Sequence, residues 1–307
     1  MAALNSVGKL LVIVGETASG KSKLALELAK QFNGEIISAD SWTVYRGFNI
    51  GTAKPSVEEQ AQVAHHLLDI ADPRVGYSAA EFKRRASEVI IDINNRGNLP
   101  ILVGGTGLYI DSVIYDYGFL PAGTSEQREH LNTLTIEELM AKIKAAKINT
   151  KGIDTRNKRR LIRLIETRGL RPNKGGLRPK TLILGLALPV ETLVQRITER
   201  VDNMLKSGLK DEVKSLADKY GWDTEPMKGI GYREWRNHFE GKQSLEQTKE
   251  SIIRSSLQLA KKQRTWFRSS RYDQPSDHNA TIERNKSIQW LQNLQQALPV
   301  VQKFLSK

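Results

Sequence analysis

Cysteine is absent from the 307 residues, and with it go disulfides, thiolate catalysis and cysteine-ligated zinc. Any metal ion must therefore be held by oxygen or imidazole. Also missing is a run of about eighteen or more apolar residues, and residues 1–11, MAALNSVGKLL, lack the basic start and long apolar stretch of a secretion signal. A cytoplasmic protein with no membrane partner is expected, long enough for one core with an insertion or for two domains. Internal repeats and low-complexity segments are missing too.

Acids are scarce in one stretch. The net charge is +13 and the pI is near 9.8, totals that solvated lysines alone can produce. Residues 151–180, however, carry eleven basic side chains against two acids, Asp154 and Glu166, so about one tenth of the chain supplies +9 of the +13. Clustering of this kind is the electrostatic footprint of a polyanionic partner.

What is present begins with KLLVIV (9–14), a short Val- and Ile-rich run that reads as a buried parallel strand and ends at a glycine loop. Residues 21–32 follow with Leu24, Leu28 and Phe32 on one helical face. GEIIS (34–38), HLLDI (66–70), PILVGG (100–105) and TLILGLAL (181–188) read as further strands. Residues 78–94 read as a helix capped by Ser78. Strands alternating with helices predict a parallel α/β sheet of the P-loop NTPase-like kind, flanked by helices. Between 119 and 180 the pattern changes to polar helices with no convincing strand, which predicts a helical insertion domain. The expected divisions are residues 1–118 and 181–270 for the α/β core and its closing helices (191–206, 245–267), 119–180 for the basic insertion, and 271–307 for a tail helix carrying Ile288, Leu291, Leu294, Leu298 and Val301.

The loop itself, GETASGKS, matches GxxxxGK[ST] through Gly15, Gly20, Lys21 and Ser22, a match that average usage produces in roughly one chain in a hundred of this length. Its glycines let backbone N–H groups converge on phosphate oxygens at a helix N-terminus. Lys21 is expected to bridge the distal phosphates and the Ser22 hydroxyl to ligate Mg²⁺. A hydrolysing P-loop enzyme would next show a strand ending in a metal-supporting aspartate. PILVGG instead runs into Thr106, a neutral hydroxyl. The carboxylate appears after the second strand, where Asp40 lies past the carboxyl end, either as a turn-capping residue or as a general base beside the phosphate loop.

Taken together, GETASGKS, ADSWTVYRGFNIGTAKP, HHLLDIADP, YSAAEF, PILVGGTGLY, NKRRLIRLIE, RVDNML followed by GL and EV, IGYREW and AKKQRTWFR resemble the tRNA dimethylallyltransferases, also called tRNA isopentenyltransferases. The blocks fall in order from Gly15 to Arg268 and cover most of the chain. The resemblance implies that the loop residues Gly15, Glu16, Thr17, Ala18, Ser19, Gly20, Lys21 and Ser22 grip the diphosphate of dimethylallyl diphosphate, not ATP. The allyl group then passes to the exocyclic N6 amine of the adenosine 3′-adjacent to the tRNA anticodon, with Mg²⁺ assisting. It further implies Asp40 as the base and Thr106 as the neighbour that hydrogen-bonds the target adenine. Lys21 and one or more arginines would neutralise the leaving diphosphate, for which Arg196 and Arg200 are the candidates, against an ordinary solvated helix face. Arg128, Lys158, Arg159, Arg160 and Arg163 are candidates to grip anticodon-stem phosphates while the adenosine is flipped out of its stack. Ser41, Trp42, Thr43, Gly231, Tyr232 and Arg233 are expected to approach the RNA, with Trp42 or Tyr232 stacking on a base, against the commoner finding of buried aromatics. A monomer is expected.

The chain departs from the family pattern at three places. Glu16 takes a loop position usually filled by proline, so it either points away or weakens diphosphate binding. Asp154 and Thr155 replace a common His-Pro pair, and Leu257 a frequent arginine. The main alternative is an ATP-dependent small-molecule or nucleotide kinase of the P-loop class, which accounts for the loop and Asp40 but not for the basic cluster or Thr106. A nucleic-acid-remodelling ATPase would need the missing strand-end aspartate.

Overall fold

A computed structural model describes residues 7–121, 123–268 and 287–307. Its strands are β1 Leu10–Gly15, β2 Gly34–Ser38, β3 His65–His66, β4 Leu99–Gly104, β5 Thr181–Leu186 and β6 Ile288–Leu291. The helices are α1 Lys21–Gln31, α2 Val57–Gln62, α3 Ala79–Asn95, α4 Gly107–Ile114, α5 Ser125–Thr133, α6 Ile136–Ala145, α7 Lys158–Glu166, α8 Val190–Lys206, α9 Leu209–Tyr220, α10 Arg236–Phe239, α11 Leu245–Arg268 and α12 Leu294–Leu305. All six strands are parallel, in the order β3-β2-β4-β1-β5-β6. This is the α/β class that the alternation of strands and helices predicts.

Alternate side chains of β1 feed opposite faces, as a two-residue period requires. Leu10, Val12 and Val14 join Phe82, Ala86 and Ile90 of α3, Ile110 of α4 and Phe267 of α11. Leu11 and Ile13 join Leu24 and Leu28 of α1 and Ala297 and Val301 of α12. Each fully buried Leu, Ile or Phe contributes roughly 1.5–3 kcal/mol, so β1 is anchored from both sides. It lies between β4 and β5, and the chain runs from it to β2 on one side before crossing from β4 to β5 on the other. In open α/β sheets ligands bind beyond the strand ends at such a point. A third apolar cluster, from Val44, Tyr45 and Phe48 to Val213 of α9 and Trp235, roofs the space beyond those ends.

Between Gly118 and Asn173 the chain leaves the core and returns across a narrow neck, where Gly118 N–H donates to Asn173 O at 2.8 Å and Gly175 N–H to Tyr115 O at 2.7 Å. The helices between, α5 to α7, bury Leu131, Leu139, Ile143, Leu161, Ile162 and Leu164 among themselves. Among the described residues no helix is long and apolar enough to cross a membrane.

Two elements differ from expectation. The strand expected at 66–70 ends at His66, because Leu67 (φ 63°) and Asp69 (φ 55°) are left-handed. Asp69 is held there by Lys54 at 2.6 Å, a tertiary contact that overrides local β propensity. In the expected tail helix, Ile288 to Leu291 instead pairs with β5 as an edge strand, and helix begins only at Leu294, after the Asn293 cap. Apolar residues three apart fit a helix, but an open parallel edge offers backbone bonds that periodicity cannot register. Residues 271–286 of that tail, like 1–6, lie outside the described residues.

Candidate active site

The phosphate loop leaves β1 at Gly15 and enters α1 at Lys21, turning through Ala18 (φ 59°) and Gly20 (φ 94°). A Cβ at Gly20 would strain that turn, so the glycine is there for its backbone. Lys21 Nζ donates to Glu16 O at 3.1 Å, folding the ammonium over the loop. Burial first, then the neighbouring Arg200 guanidinium, lower the Lys21 ammonium to about 8, against the opposing pull of Asp40 and Glu16. Among the described residues, Ser19 Oγ is buried without a hydrogen-bond partner. A buried hydroxyl in that position is a donor the fold itself does not use.

From α8, Arg200 reaches Thr17 Oγ1 of the loop at 3.3 Å and, outside the loop, the Thr52 carbonyl at 3.4 Å. Burial lowers its guanidinium from the usual value while Asp40 supports its charge. Arg196, one turn earlier and exposed, donates to Ser19 O at 3.5 Å from outside. The two arginines therefore address the loop from two sides, Arg200 within the cavity and Arg196 in the adjoining recess with Gly20 and Lys21.

Asp40 follows β2. Its Oδ1 accepts the N–H of Trp42 at 2.8 Å and of Thr43 at 3.4 Å, a turn that also aims the carboxylate at the cavity it lines. The capping and functional readings of Asp40 are thus compatible. Thr106 begins α4, and its Oγ1 accepts Ser41 N–H at 3.1 Å. Close approach of the two strand ends makes this possible: a Cβ on Gly104 would sit 2.0 Å from Ala39 O. Ser41 and Trp42 are half-buried, and Thr43 is buried with its Oγ1 3.0 Å from Ser38 Oγ.

Lys21, Ser22, Thr17, Asp40, Trp42 and Arg200 share one cavity of about 140 Å³, whose remaining wall includes Ile197, Val201, Met204, Ile230, Ile252 and Leu259. One end is cationic with a single carboxylate, and much of the rest is apolar. Among the described residues no group of three or more His, Asp or Glu is placed to hold a metal ion.

Other expected site residues are placed differently. Tyr232 is 1% exposed. Its hydroxyl donates to Glu212 at 2.8 Å, and its ring packs 4.9 Å from that of Phe48. Burial, with the Glu212 carboxylate beside it, pushes the phenol up. Its ring is a wall of the roof and is not open to a base. Gly231 lines the cavity, and Arg233 is exposed, 3.0 Å from Glu234. In the arm, Arg128 makes two bonds to Glu166 at 2.7 and 2.6 Å, and Arg163 reaches the same carboxylate at 3.3 Å. Lys158 Nζ donates to Asn132 O at 2.7 Å. Arg159, 77% exposed, pairs with Glu225 of the core at 3.0 Å. Arg160 is exposed beside it.

Glu16, open between two readings, points away. It lines neither the cavity nor the recess, and its carboxylate is held by Arg264 of α11.

The family model described as IPP transferase matches residues 43–270. The chain belongs to the IPP transferase family. A tRNA dimethylallyltransferase of Anoxybacillus flavithermus is 42% identical over 271 residues, covering 85% of this chain and 87% of that protein. One from Bacillus subtilis is 40% identical over 279 residues, covering 86% and 89%. Among solved structures, the full-length tRNA isopentenylpyrophosphate transferase of Bacillus halodurans has a TM-score of 0.71 at 36% identity, covering 97% of this chain and 95% of that one. A eukaryotic dimethylallyltransferase, described in crystallographic snapshots as acting on tRNA, has a TM-score of 0.78 at 26% identity, covering 97% and 79%. Membership of the IPP transferase family sets aside the kinase and remodelling-ATPase alternatives.

Three residues of this family member escaped sequence reasoning. Gln263 accepts Thr17 N–H at 2.7 Å and donates to Gly105 O at 3.1 Å, bridging the phosphate loop to the Thr106 turn. Glu212 collects the N–H groups of Asn49, Ile50 and Gly51 within 3.1 Å, fixing the loop that presents Thr52 to Arg200. Arg264 holds Glu16. Gln263 and Arg264 sit inside AKKQRTWFR and Glu212 inside the EV pair, so the signal lay in the matching blocks themselves.

Proposed function

We propose that this chain transfers the dimethylallyl group of dimethylallyl diphosphate to the exocyclic N6 amine of the adenosine 3′-adjacent to the tRNA anticodon, releasing diphosphate. The observation that carries this reading is the composition of the cavity. Phosphate-loop cations and a lone carboxylate occupy the same chamber as an apolar wall, which suits an allylic diphosphate better than a nucleotide triphosphate.

In this mechanism the bond from N6 to the allylic carbon forms as the bond from that carbon to the diphosphate oxygen breaks. Lys21, Arg200 and the loop amides neutralise the departing oxygens, and Ser19 Oγ is a further donor. The amine lone pair is delocalised into the adenine ring, so removal of its proton during attack matters, and Asp40 receives that proton. Thr106 holds the base for attack through a hydroxyl that needs no change of charge. The donor set suits a magnesium ion carried largely by the diphosphate and water, with Ser22 as its protein ligand. Such an ion would supply further charge neutralisation on the leaving group.

The segment 119–180 acts as the RNA arm of the core formed by 1–118 and 181–270. Arg159 and Arg160 are its foremost phosphate contacts, supported by their exposure, while Arg128 and Arg163 shape the arm from within. The protein works as a monomer in the cytoplasm. The test is incubation of the protein and Mg²⁺ with bulk unmodified tRNA and either labelled dimethylallyl diphosphate or labelled ATP. Label enters tRNA from the allyl donor alone. ATP turnover without allyl transfer would sink the reading.

A further inference from the structure

Glu16 is the loop residue that the chemistry above leaves unused. The residue is 2% exposed, and both of its carboxylate oxygens are taken by one guanidinium. Arg264 Nε bonds Oε1, and an Arg264 terminal nitrogen bonds Oε2 at 2.9 Å. The same nitrogen donates to the Leu188 carbonyl, just past β5, at 3.1 Å. The preceding residue on α11, Gln263, is 8% exposed and binds the next loop residue, Thr17, through its backbone N–H, while holding Gly105 beyond β4. Two consecutive side chains of one helix thus hold two consecutive residues of the phosphate loop and tie them to the ends of both strands that flank β1.

A glycine-containing loop has little stiffness of its own, yet its amides must converge on the phosphate oxygens, and small misplacements near a reacting centre are costly. A buried ion pair contributes little net stability, because desolvating two charges costs about as much as their attraction returns. What a bidentate guanidinium–carboxylate pair does supply is a fixed distance and plane. A carboxylate beside an anion site would ordinarily repel the ligand. Here it is neutralised by its partner and turned outward.

We propose that the Glu16–Arg264 pair is a positioning device for the diphosphate loop, setting the loop against α11 so that donor binding depends on it while tRNA binding does not. The inference rests on the reaction proposed above for the identity of the donor. The affinity of the loop for diphosphate can be measured without any transfer.

The test is a double-mutant cycle in the full-length chain with E16Q, R264M and the pair together. It reads the Kd for inorganic diphosphate with Mg²⁺ by calorimetry, then KM for dimethylallyl diphosphate, KM for tRNA, kcat and Tm. Each single change is expected to raise the diphosphate Kd and the donor KM by roughly five- to tenfold, with tRNA KM within about twofold. The double variant should be no worse than the weaker single, because the pair acts as a unit. R264K, which keeps the charge but loses the two parallel bonds, should recover only part of the loss. E16Q is nearly isosteric and decides the matter alone if R264M does not fold. A diphosphate Kd within about twofold of wild type in E16Q overturns the proposal. So does a parallel rise of donor and tRNA KM in step with a fall in Tm, the mark of general loosening. If the wild-type chain binds diphosphate but transfers no allyl label, the proposed reaction falls, and the Kd series still decides the role of the pair.

Discussion

The cationic side chains around the phosphate loop and those of the helical arm differ in what they already hold. Among the described residues, Lys21 and Arg200 hydrogen-bond to neutral groups, a carbonyl of Glu16 for one and the Thr17 hydroxyl and Thr52 carbonyl for the other, with the Asp40 carboxylate near enough to support both charges. Arg128 and Arg163 are committed to Glu166, whose side chain is fully buried, whereas Arg159, 77% exposed, makes only a surface pair with Glu225 that a phosphate can replace. A buried cation without a carboxylate partner is poised for an anionic ligand, whereas a cation closed onto its own carboxylate serves the fold until something replaces that partner. The contrast separates residues that bind from residues that shape the binder, and it can be broken experimentally at either end.

The largest expected effect is at the core. Asp40→Asn keeps the turn acceptor for Trp42 N–H but removes the base, and single-turnover label transfer should slow by roughly 10²- to 10⁴-fold with tRNA affinity nearly intact. Unchanged turnover would remove Asp40 from that role. At the arm, reversing charge at Arg159 and Arg160 together should weaken tRNA binding by roughly ten- to a hundredfold at low salt and flatten its salt dependence. Donor binding should stay as it was. A salt slope equal to that of the parent would return both residues to a solvated face.

A smaller effect tests the shaping half of the comparison. Arg128→Ala leaves the buried Glu166 with Arg163 alone, so thermal unfolding should show a loss of about 1 kcal/mol, a modest figure because the Arg128 side chain is half exposed and screened. The tRNA salt slope should barely move. If the slope falls by about one unit with no loss of stability, Arg128 is a phosphate contact after all.

The same distinction explains what could be read from the sequence. GETASGKS was legible because its demands are local: two glycines, a lysine and a hydroxyl between an apolar strand and an amphipathic helix. The placement of Asp40 and Thr106 was legible because strand ends bring them side by side. The partners were not. Arg264 lies 248 residues from Glu16, so nothing near the loop announces that its acid is neutralised and turned outward. Arg128 and Glu166 are 38 residues apart, and a count of charges cannot tell an ion pair from an RNA grip. Tyr232 was left open between stacking and burial because an aromatic in a matching block looks the same whether it stacks on a base or closes a roof over Phe48. The edge strand β6 depends on parallel pairing with β5 about a hundred residues away, which no local period encodes.

The smallest expected effect separates the two regions by pH alone. Burial and Arg200 bring Lys21 down to about 8, so its charge is present at neutral pH and is lost as pH rises through that value, well before an ordinary lysine would titrate. If only the protonated form grips the donor, the Kd for diphosphate should rise roughly fourfold from pH 7 to about pH 8.5. The arm presents arginines, which hold their protons throughout this range, so tRNA affinity should stay flat over the same titration. Lys21→Arg should abolish the pH dependence even where it weakens binding, since a guanidinium has no proton to lose. A donor Kd that is flat to pH 9 in the parent chain would mean that Lys21 is not the cation that sets donor affinity, and Arg200 would then be the residue to test.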